Sequence, residues 1–305
     1  MRVTTFGSFM MDLVAYADRR PNSGETVKGN SFLMSLGGKG FNQAISASRA
    51  GAQSAMLGTL GTDSFGNDFM SAFAREGVDS SQIEYQEVLG TGVGLPVVTA
   101  DGDNSIIIML RSNDSGDAAY IERHKQKIID SDVLLLQLEL PLSGNLMAAR
   151  IAKENGVKVV LTPSPIALID DFRNLVDVVV PNEREAVELT GIESDLAKQA
   201  GKLHELLNCA AVVITLGPRG AFVSDGRTAR LVLAPPVDVI DTVGAGDTLC
   251  ANLSVRLASG DDIFTAAQFG VYAASLKVTR KGSAMVSPTP EEVIDFIGAL
   301  NRQEE

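Results

Sequence analysis

A glycine-rich turn followed by an aspartate precedes a helical pattern near residue 245. Residues 241–247 read D-T-V-G-A-G-D, and the small residues at 244–246 allow a tight turn that exposes consecutive N–H groups. Such groups at a helix N-terminus, together with the helix dipole, bind anions. Asp247 would stand beside that anion and could accept a proton from an attacking hydroxyl. The stretch predicts an anion site with a general base, and an ordinary helix start is the alternative.

A second glycine-rich turn, G-G-K-G-F-N-Q-A at residues 37–44, also precedes a predicted helix. It allows the backbone to approach a ligand closely, and Lys39 and Asn42 supply polar side chains. It is not a Walker A loop, because no Ser or Thr follows Gly-Lys at the required spacing, and the chain contains no G-x-G-x-x-G. These observations disfavour P-loop proteins and dinucleotide-dependent dehydrogenases. A flexible loop with a solvated lysine is the alternative.

Three further groups of polar residues follow predicted strands, where open α/β sheets bind ligands. The segment T-L-G-P-R-G at 215–220 follows one strand, and Asn182 follows another and precedes a helix. Glu139 comes directly after the apolar run Val133–Leu138. A plain strand-exit turn and a helix cap at Asn182 are the structural alternatives.

The composition excludes several classes of protein. The 305 residues include 26 Lys and Arg against 38 Asp and Glu, a formal charge of −12, which disfavours nucleic-acid binding. Two cysteines fit a reducing compartment, and no apolar run has the length of a signal peptide or a membrane span. Neither a metal-ligand cluster nor a Ser-His-Asp arrangement can be argued around His124 and His204. We expect a cytoplasmic protein without membrane or nucleic-acid partners.

The elements that must position these residues alternate along most of the chain, a pattern typical of a parallel sheet covered by helices. The predicted strands are Val3–Phe6, Ser54–Leu60, Asp132–Leu138, Val157–Leu161, Val176–Val180 and Ala211–Thr215, with a hairpin of Ala221–Ser224 and Ala229–Leu233. The predicted helices are Gly40–Ala50, Phe65–Glu76, Leu142–Asn155, Glu183–Leu189, two segments within Gly246–Val278, and Glu291–Leu300. The length and pattern predict one domain over 1–305.

Two regions interrupt the alternation. Residues Leu13–Met34 and Thr91–Met109 predict strands with polar faces and no helix between them. Because both are inserted between core elements, we expect a small separate sheet, a lid formed by about 13–34 and 91–109.

Together and in this order, the motifs resemble the ribokinase-like (PfkB) family of carbohydrate kinases, over essentially the whole chain. The early G-G-K-G-x-N-Q-A and the late D-T-x-G-A-G-D are specific as a pair. The resemblance implies an α/β three-layer sandwich with a central mostly parallel sheet and a small β-sheet lid. It also implies ATP-dependent phosphorylation of a small carbohydrate at a primary hydroxyl, with Mg²⁺ and a monovalent cation, K⁺, as cofactors. A homodimer through lid-to-lid strand pairing is a further implication.

The resemblance also implies a role for each matching residue. Asp247 would be the general base, and the N–H groups of Gly244, Ala245 and Gly246 would form the anion hole for the transferring phosphoryl group. The sugar-binding positions would be Met10, Asp12, Gly38, Lys39, Gly40, Asn42 and Glu139. The nucleotide-binding positions would be Asn182, Thr215, Leu216, Gly217, Arg219, Gly220 and Gly246. Glu185 would belong to the Mg²⁺ environment. Asp241 and Val243, with carbonyls near Lys277, Arg280 and Gly282, would form the monovalent-cation loop.

Four departures from the family pattern bear on substrate and cofactor. Met10 replaces an Asn that would bind one sugar hydroxyl, which suits a deoxy sugar without excluding ribose. Phe41 replaces an Ala and adds bulk beside the expected sugar pocket. Arg111 would meet a larger or charged substrate, or else face solvent. At the cation loop Val286 stands where a Ser is usual, although Ser287 is adjacent.

We therefore expect a kinase of a pentose such as ribose or deoxyribose. The alternatives within the family are a nucleoside or riboside kinase, a fructokinase and a ketodeoxygluconate kinase. A non-catalytic sugar or nucleotide sensor is the alternative from another class, although a sensor has no use for the base Asp247.

Overall fold

The computed structural model describes residues 1–166 and 169–302 of the chain. The strands are β1 (Arg2–Phe6), β2 (Met10–Ala17), β3 (Ser31–Gly37), β4 (Gln53–Leu57), β5 (Thr59–Gly61), β6 (Glu84–Gln86), β7 (Val93–Thr99), β8 (Asn104–Met109), β9 (Val133–Gln137), β10 (Lys158–Thr162), β11 (Val178–Val179), β12 (Ala211–Thr215), β13 (Ala221–Ser224) and β14 (Ala229–Val232). The α-helices are α1 (Lys39–Arg49), α2 (Ser64–Glu76), α3 (Ala118–Ile129), α4 (Leu142–Glu154), α5 (Glu183–Thr190), α6 (Leu196–Leu207), α7 (Ala245–Ala258), α8 (Ile263–Lys277) and α9 (Pro290–Asn301).

The predicted three-layer α/β sandwich is confirmed. Eight strands form one sheet in the order β14-β13-β12-β11-β10-β9-β1-β4, parallel from β4 to β12 and antiparallel in the β12–β14 meander. Alternate residues of the buried strand β9 enter two different cores: Leu134 and Leu136 pack with helices α3 to α6, whereas Val133 and Leu135 pack with α1, α7 and α8. Helices therefore cover both faces of the sheet, as a parallel sheet requires.

A second, four-stranded sheet has the order β3-β2-β7-β8, with β2 and β7 parallel and the outer pairs antiparallel. Three residues separate the end of β1 from the start of β2, and β3 leads directly into α1. The root of this sheet therefore adjoins the carboxyl edge of the large sheet. The predicted polar faces are wrong for the outer strands. Ile106, Ile107 and Ile108 are 55%, 67% and 58% exposed, and Phe32 is 62% exposed.

Two other predictions needed correction. The predicted strand Ser54–Leu60 is two strands, because the chain turns at Gly58, whose N–H donates to the Tyr120 hydroxyl at 2.7 Å, and β5 then pairs with β6. Helix α3, with Asp117 as its N-cap, was not among the predicted helices because its surface is strongly polar. No helix within the described ranges combines the length and apolar composition needed to span a bilayer.

Candidate active site

The two glycine-rich turns of the sequence meet in the structure at the carboxylate of Asp247. Gly244 is the N-cap of α7 with a φ of 75°, a left-handed conformation that favours glycine, and Asp247 lies in the first turn. From α1, Asn42 Nδ2 donates to Asp247 Oδ2 at 2.9 Å, and Gln43 Nε2 donates to Oδ1 at 3.1 Å. The carboxylate is thereby fixed in orientation beside the exposed N–H groups of a helix N-terminus.

The surroundings of Asp247 act on the pKa of its carboxyl in both directions. Burial raises the pKa of its carboxyl, while the nearby Lys39 ammonium and the two amide donors act to lower it. A carboxylate in such a dry position is a better proton acceptor than one in water, because its charged form is less stabilised by solvent.

Behind this base lies a second pair of amides. Gln137, the last residue of β9, donates from Nε2 to Gln43 Oε1 at 2.6 Å, and both side chains are fully buried. This bond fixes Gln43 with its own amide N–H groups toward Asp247. Gln43 and Gln137 are absent from the predicted site residues. In the sequence, these residues are indicated only by a glutamine on the buried face of α1 and a second glutamine at the end of an apolar strand.

Asp12 lies in a slot between glycines of the two neighbouring strands. A Cβ added at Gly37 of β3 would lie 2.5 Å from Asp12 Oδ2, and one at Gly94 of β7 would lie 2.4 Å from Oδ1. Within the described residues no group donates a hydrogen bond to this carboxylate in the structure. Burial, together with the charge of Glu139, raises its pKa to about 6. The slot therefore presents a partly dehydrated acceptor with its lone pairs free for ligand hydroxyls.

Glu139 and Lys39 occupy the space between Asp12 and Asp247. Glu139 accepts hydrogen bonds from the Ser8 hydroxyl and from the N–H of Lys39 at 3.0 Å, at the start of α1. Burial would lower the pKa of the Lys39 ammonium, but the charges of Asp247, Glu139 and Glu185 outweigh it and raise the pKa. Lys39 is therefore a stable cation within a ring of carboxylates.

A small polar cavity of about 160 Å³ contains the side chain of Lys39. Its other lining residues include Asn182, Glu185, Thr215, Asp247 and the segment 244–246. This placement joins Lys39 to the anion hole, whereas the sequence assigned it to the sugar. Oxygen donors from Asn182 and Glu185 on the opposite wall are of the kind that Mg²⁺ prefers.

A larger cleft of about 740 Å³ adjoins the small cavity and shares Thr215, Ala245 and Gly246 with it. Gly217 and Gly220 line it, and its remaining wall is mainly apolar. The apolar residues of this wall are Ala234, Pro235, Pro236, Val237, Val239, Leu249, Val271, Ala274 and Val278. An apolar compartment that ends in a polar, glycine-lined pocket suits a flat aromatic group carrying phosphates.

Some predicted nucleotide residues have structural roles. The side chain of Leu216 is buried in the core, and Arg219 forms an ion pair with Glu183 at 2.5 Å, outside the lining of the cleft. Asn182 caps α5 through a reciprocal pair of hydrogen bonds with Glu185, each of 2.8 Å. The capping alternative for Asn182 is therefore correct, and the same residue also lines the small cavity.

The residues at the root of the lid are mainly structural. Gly38 is the N-cap of α1, and Gly40 packs against Gly7, where a Cβ would lie 2.4 Å from the carbonyl carbon. Met10 is buried, with Sδ 3.5 Å from Asn113 Nδ2. Its thioether leaves no strong hydrogen-bonding group at that position.

The expectation that Phe41 adds bulk beside the sugar pocket is wrong, whereas Arg111 is exposed, as one of its two alternatives held. Phe41 is fully buried and packs edge-on against Phe69, with ring centres 4.9 Å apart, so it fills the core behind α1. Arg111 donates to the carbonyl of Thr91 at 2.9 Å and lies 3.7 Å from Asp63, so it fastens the loop at the root of the lid.

The predicted cation loop folds around its own aspartate. The Asp241 carboxylate accepts the N–H of Val243 at 2.9 Å and that of Gly282 at 3.0 Å. The Lys277 ammonium donates to the carbonyls of Asp241, at 2.9 Å, and Val243. Burial lowers the pKa of this lysine, although the charges of Asp241 and Asp247 oppose the effect. The Arg280 guanidinium instead pairs with Glu292 at 2.7 Å.

Comparison with known proteins agrees with this geometry. Residues 1–299 match the family described as pfkB family carbohydrate kinase. The ribokinase of Haemophilus influenzae is 37% identical over 97% of this chain and 98% of its own, and the ribokinase of Bacillus subtilis is 35% identical over 97% and 99%. A structure of Arabidopsis thaliana ribokinase complexed with ribose and ATP is similar with a TM-score of 0.89 at 28% identity, over 96% of this chain and 97% of that one. The protein thus belongs to the pfkB family of carbohydrate kinases.

Proposed function

We propose that the protein transfers the γ-phosphoryl group of ATP to a primary hydroxyl of a pentose, ribose or 2-deoxyribose. The observation that carries this proposal is the position of Asp247. Its carboxylate is held by Asn42 and Gln43 and lines the small cavity, which shares Thr215, Ala245 and Gly246 with the large cleft. This arrangement supports a reaction in which the base meets a phosphate group bound next to it.

The residues divide the reaction between them. Asp12 accepts hydrogen bonds from sugar hydroxyls and so orients the sugar, while Asp247 accepts the proton of the attacking hydroxyl as its oxygen bonds to phosphorus. The N–H groups of 244–246 and the Lys39 ammonium stabilise the negative charge on the transferring group. Mg²⁺ would supply further charge neutralisation, and Glu185 and Asn182 would hold it together with phosphate oxygens and water. The products are ADP and a sugar phosphate.

Ribose is favoured by the relatives named ribokinase, and deoxyribose is favoured by one residue. At Met10 no strong hydrogen-bonding side chain is present, so a sugar that lacks one hydroxyl loses nothing there. Phe41 in the core and Arg111 bound to Thr91 leave a larger substrate such as a nucleoside without its expected support.

The experiment is coupled ATP turnover with Mg²⁺ on ribose, 2-deoxyribose, fructose, ketodeoxygluconate and several nucleosides, with phosphorus NMR to identify the phosphorylated carbon. We expect strong turnover on one pentose, with the phosphate on its primary hydroxyl, and Asp247→Asn as the inactive control. Turnover on nucleosides alone would replace the pentose by a riboside. Tight sugar binding without ATP consumption would make the protein a sensor.

We also propose that two copies associate through the lid in the cytoplasm. Exposed apolar side chains lie on the two outer strands of the small sheet, Phe32 on β3 and Ile106–Ile108 on β8. Exposed strand edges and apolar faces are usually covered by a partner. Both cysteines, Cys209 and Cys250, are free and buried, which suits a reducing compartment.

A further inference from the structure

The loop before the anion hole receives a positive charge from the chain itself. Lys277, the last residue of α8, is 0% exposed. Its ammonium donates to the carbonyl oxygens of Asp241 and Val243, 36 and 34 residues earlier in the chain. These two carbonyls belong to the loop that the family resemblance assigns to K⁺. Val243 directly precedes Gly244, the N-cap of the helix whose first N–H groups form the anion hole.

Other oxygens of this loop already accept hydrogen bonds from the backbone. The carboxylate of Asp241 is engaged by two backbone N–H groups, and the carbonyl of Lys277 accepts the N–H of Arg280 at 3.0 Å. An ammonium group and K⁺ carry the same charge, and two such cations at the same carbonyls would repel each other strongly inside the protein. The Lys277 ammonium and K⁺ therefore exclude each other at these two carbonyls.

The side chain of Val286 provides independent support. Its methyl groups lie beside Gly282, because a Cβ added there would be 3.5 and 3.8 Å from them. An isopropyl group offers no oxygen to a cation. The neighbouring Ser287 does not compensate, since its hydroxyl is fully buried and bonded to those of Ser46, at 2.7 Å, and Thr248, at 2.9 Å. Neither Val286 nor Ser287 therefore supplies a hydroxyl ligand to the loop.

We propose that Lys277 is a built-in replacement for the monovalent cation, so that the protein has no K⁺ site and no requirement for K⁺. Lys277 acts as a positioning residue: it holds the carbonyls of Asp241 and Val243 and so fixes the N–H groups of 244–246, which follow directly. Its positive charge also adds to the field at the anion hole. The effect on turnover rests on the proposed kinase function, whereas the occupancy of the loop by the ammonium does not.

Occupancy is tested first, without any assay of turnover. Thermal unfolding is followed while K⁺ replaces tetramethylammonium at constant ionic strength, and crystals soaked in Tl⁺ are examined for anomalous scattering at the loop. For the wild type we expect no K⁺-specific shift and no Tl⁺ peak. For Lys277→Ala combined with Val286→Ser, which removes the ammonium and adds a hydroxyl, we expect a K⁺-specific rise of about 2 °C or more and a Tl⁺ peak. A Tl⁺ peak between the two carbonyls of the wild type would overturn the proposal.

Turnover is then measured with and without K⁺ on the pentose that the protein accepts. We expect wild-type kcat to change by less than about two-fold, and kcat of Lys277→Ala without K⁺ to fall about ten-fold or more, with recovery by K⁺ or methylammonium. Lys281→Ala, which removes an exposed lysine four residues away, is the matched control and should equal the wild type. Wild-type activation by K⁺ of five-fold or more would overturn the proposal.

Two further arrangements keep the test decisive. If Lys277→Ala does not fold, Lys277→Met retains the apolar stem and removes only the ammonium, and the wild-type measurements need no variant. If no substrate in the panel is turned over, the proposed function fails while the Tl⁺ and thermal experiments still decide the occupancy of the loop.

Discussion

Replacing Asp12 by Asn should make the protein more stable and a poorer enzyme. The carboxylate of Asp12 lies between Gly37 and Gly94 with no hydrogen-bond donor from the described residues, and burial raises its pKa from 3.8 to about 6. A raised pKa of an acid means that its charged form costs free energy in the folded state. An amide of the same shape removes that cost and also removes the charged acceptor for sugar hydroxyls.

The magnitude follows from the pKa. A rise from 3.8 to about 6 corresponds to at most about 3 kcal/mol at 1.36 kcal/mol per unit, and partial exposure of the group reduces this to about 1–2 kcal/mol. The folded state binds more protons than the unfolded state between pH 3.8 and 6, so this contribution to stability falls as the pH rises through that window. Above pH 6 the cost is fully present. The gain from Asp12→Asn should therefore be complete at pH 8 and about half as large at pH 5.

Urea unfolding at the two pH values measures the gain, and steady-state kinetics measures the loss. Without the charged acceptor, kcat/KM for the sugar should fall about 10- to 100-fold, the usual consequence of losing a hydrogen bond to a charged group. Asp68→Asn is the matched control, because Asp68 is exposed and lies on α2. A variant that is less stable than the wild type at pH 8, or equally stabilised at pH 5 and pH 8, would refute the reasoning.

Four further predictions concern the base, its support, the core and the lid. Asp247→Asn should lower kcat about 10²-fold or more while nucleotide binding, measured by calorimetry, is kept, and wild-type turnover would refute the assignment of the base. Gln43→Leu should lower kcat and leave the KM for ATP unchanged, since the amide orients the base, and an unchanged kcat would make the Gln43–Asp247 bond irrelevant to turnover. Phe41→Ala should lower the free energy of unfolding in urea by about 3–5 kcal/mol and leave the KM for the sugar unchanged. A changed KM without destabilisation would show that Phe41 lines the sugar pocket. Ile107→Glu should shift the sedimentation of the protein to that of a monomer, and a wild type that already sediments as a monomer would remove the lid dimer.

The sequence alone predicts most of the fold because burial imposes periodicity. Strand β9 is a continuous apolar run since helices cover both faces of the sheet. The last helix, capped by Thr289, covers the predicted Glu291–Leu300. The predictions failed where polar residues dominate an element, as in α3, and where the chain turns within one apolar run, as at Gly58. In both cases the deciding contact comes from elsewhere in the chain.

The sequence predicts which residues form the candidate site but not where their side chains point. The glycine-rich turns indicate that Lys39, Asn42 and Asp247 lie near a ligand. Their spacing along the chain does not determine which part of the ligand each side chain contacts. Lys39 lines the small polar cavity, where the charges of Asp247, Glu139 and Glu185 attract its ammonium. Gln43 belongs to the motif G-G-K-G-x-N-Q-A but was missed, because the motif does not indicate that its amide reaches Asp247.

An acidic chain can bind a triphosphate because a local positive charge outweighs the net charge at contact distance. The net charge of −12 is spread over the whole surface, and salt screens charges separated by more than about 10 Å. At the site itself, the first turn of α7 presents its N–H groups. Lys39 lines the same small cavity as this turn, and the Lys277 ammonium donates to the carbonyls of Asp241 and Val243 just before it. Because both cations are covalently part of the chain, this arrangement needs no monovalent ion from solution to complete the field around the anion hole.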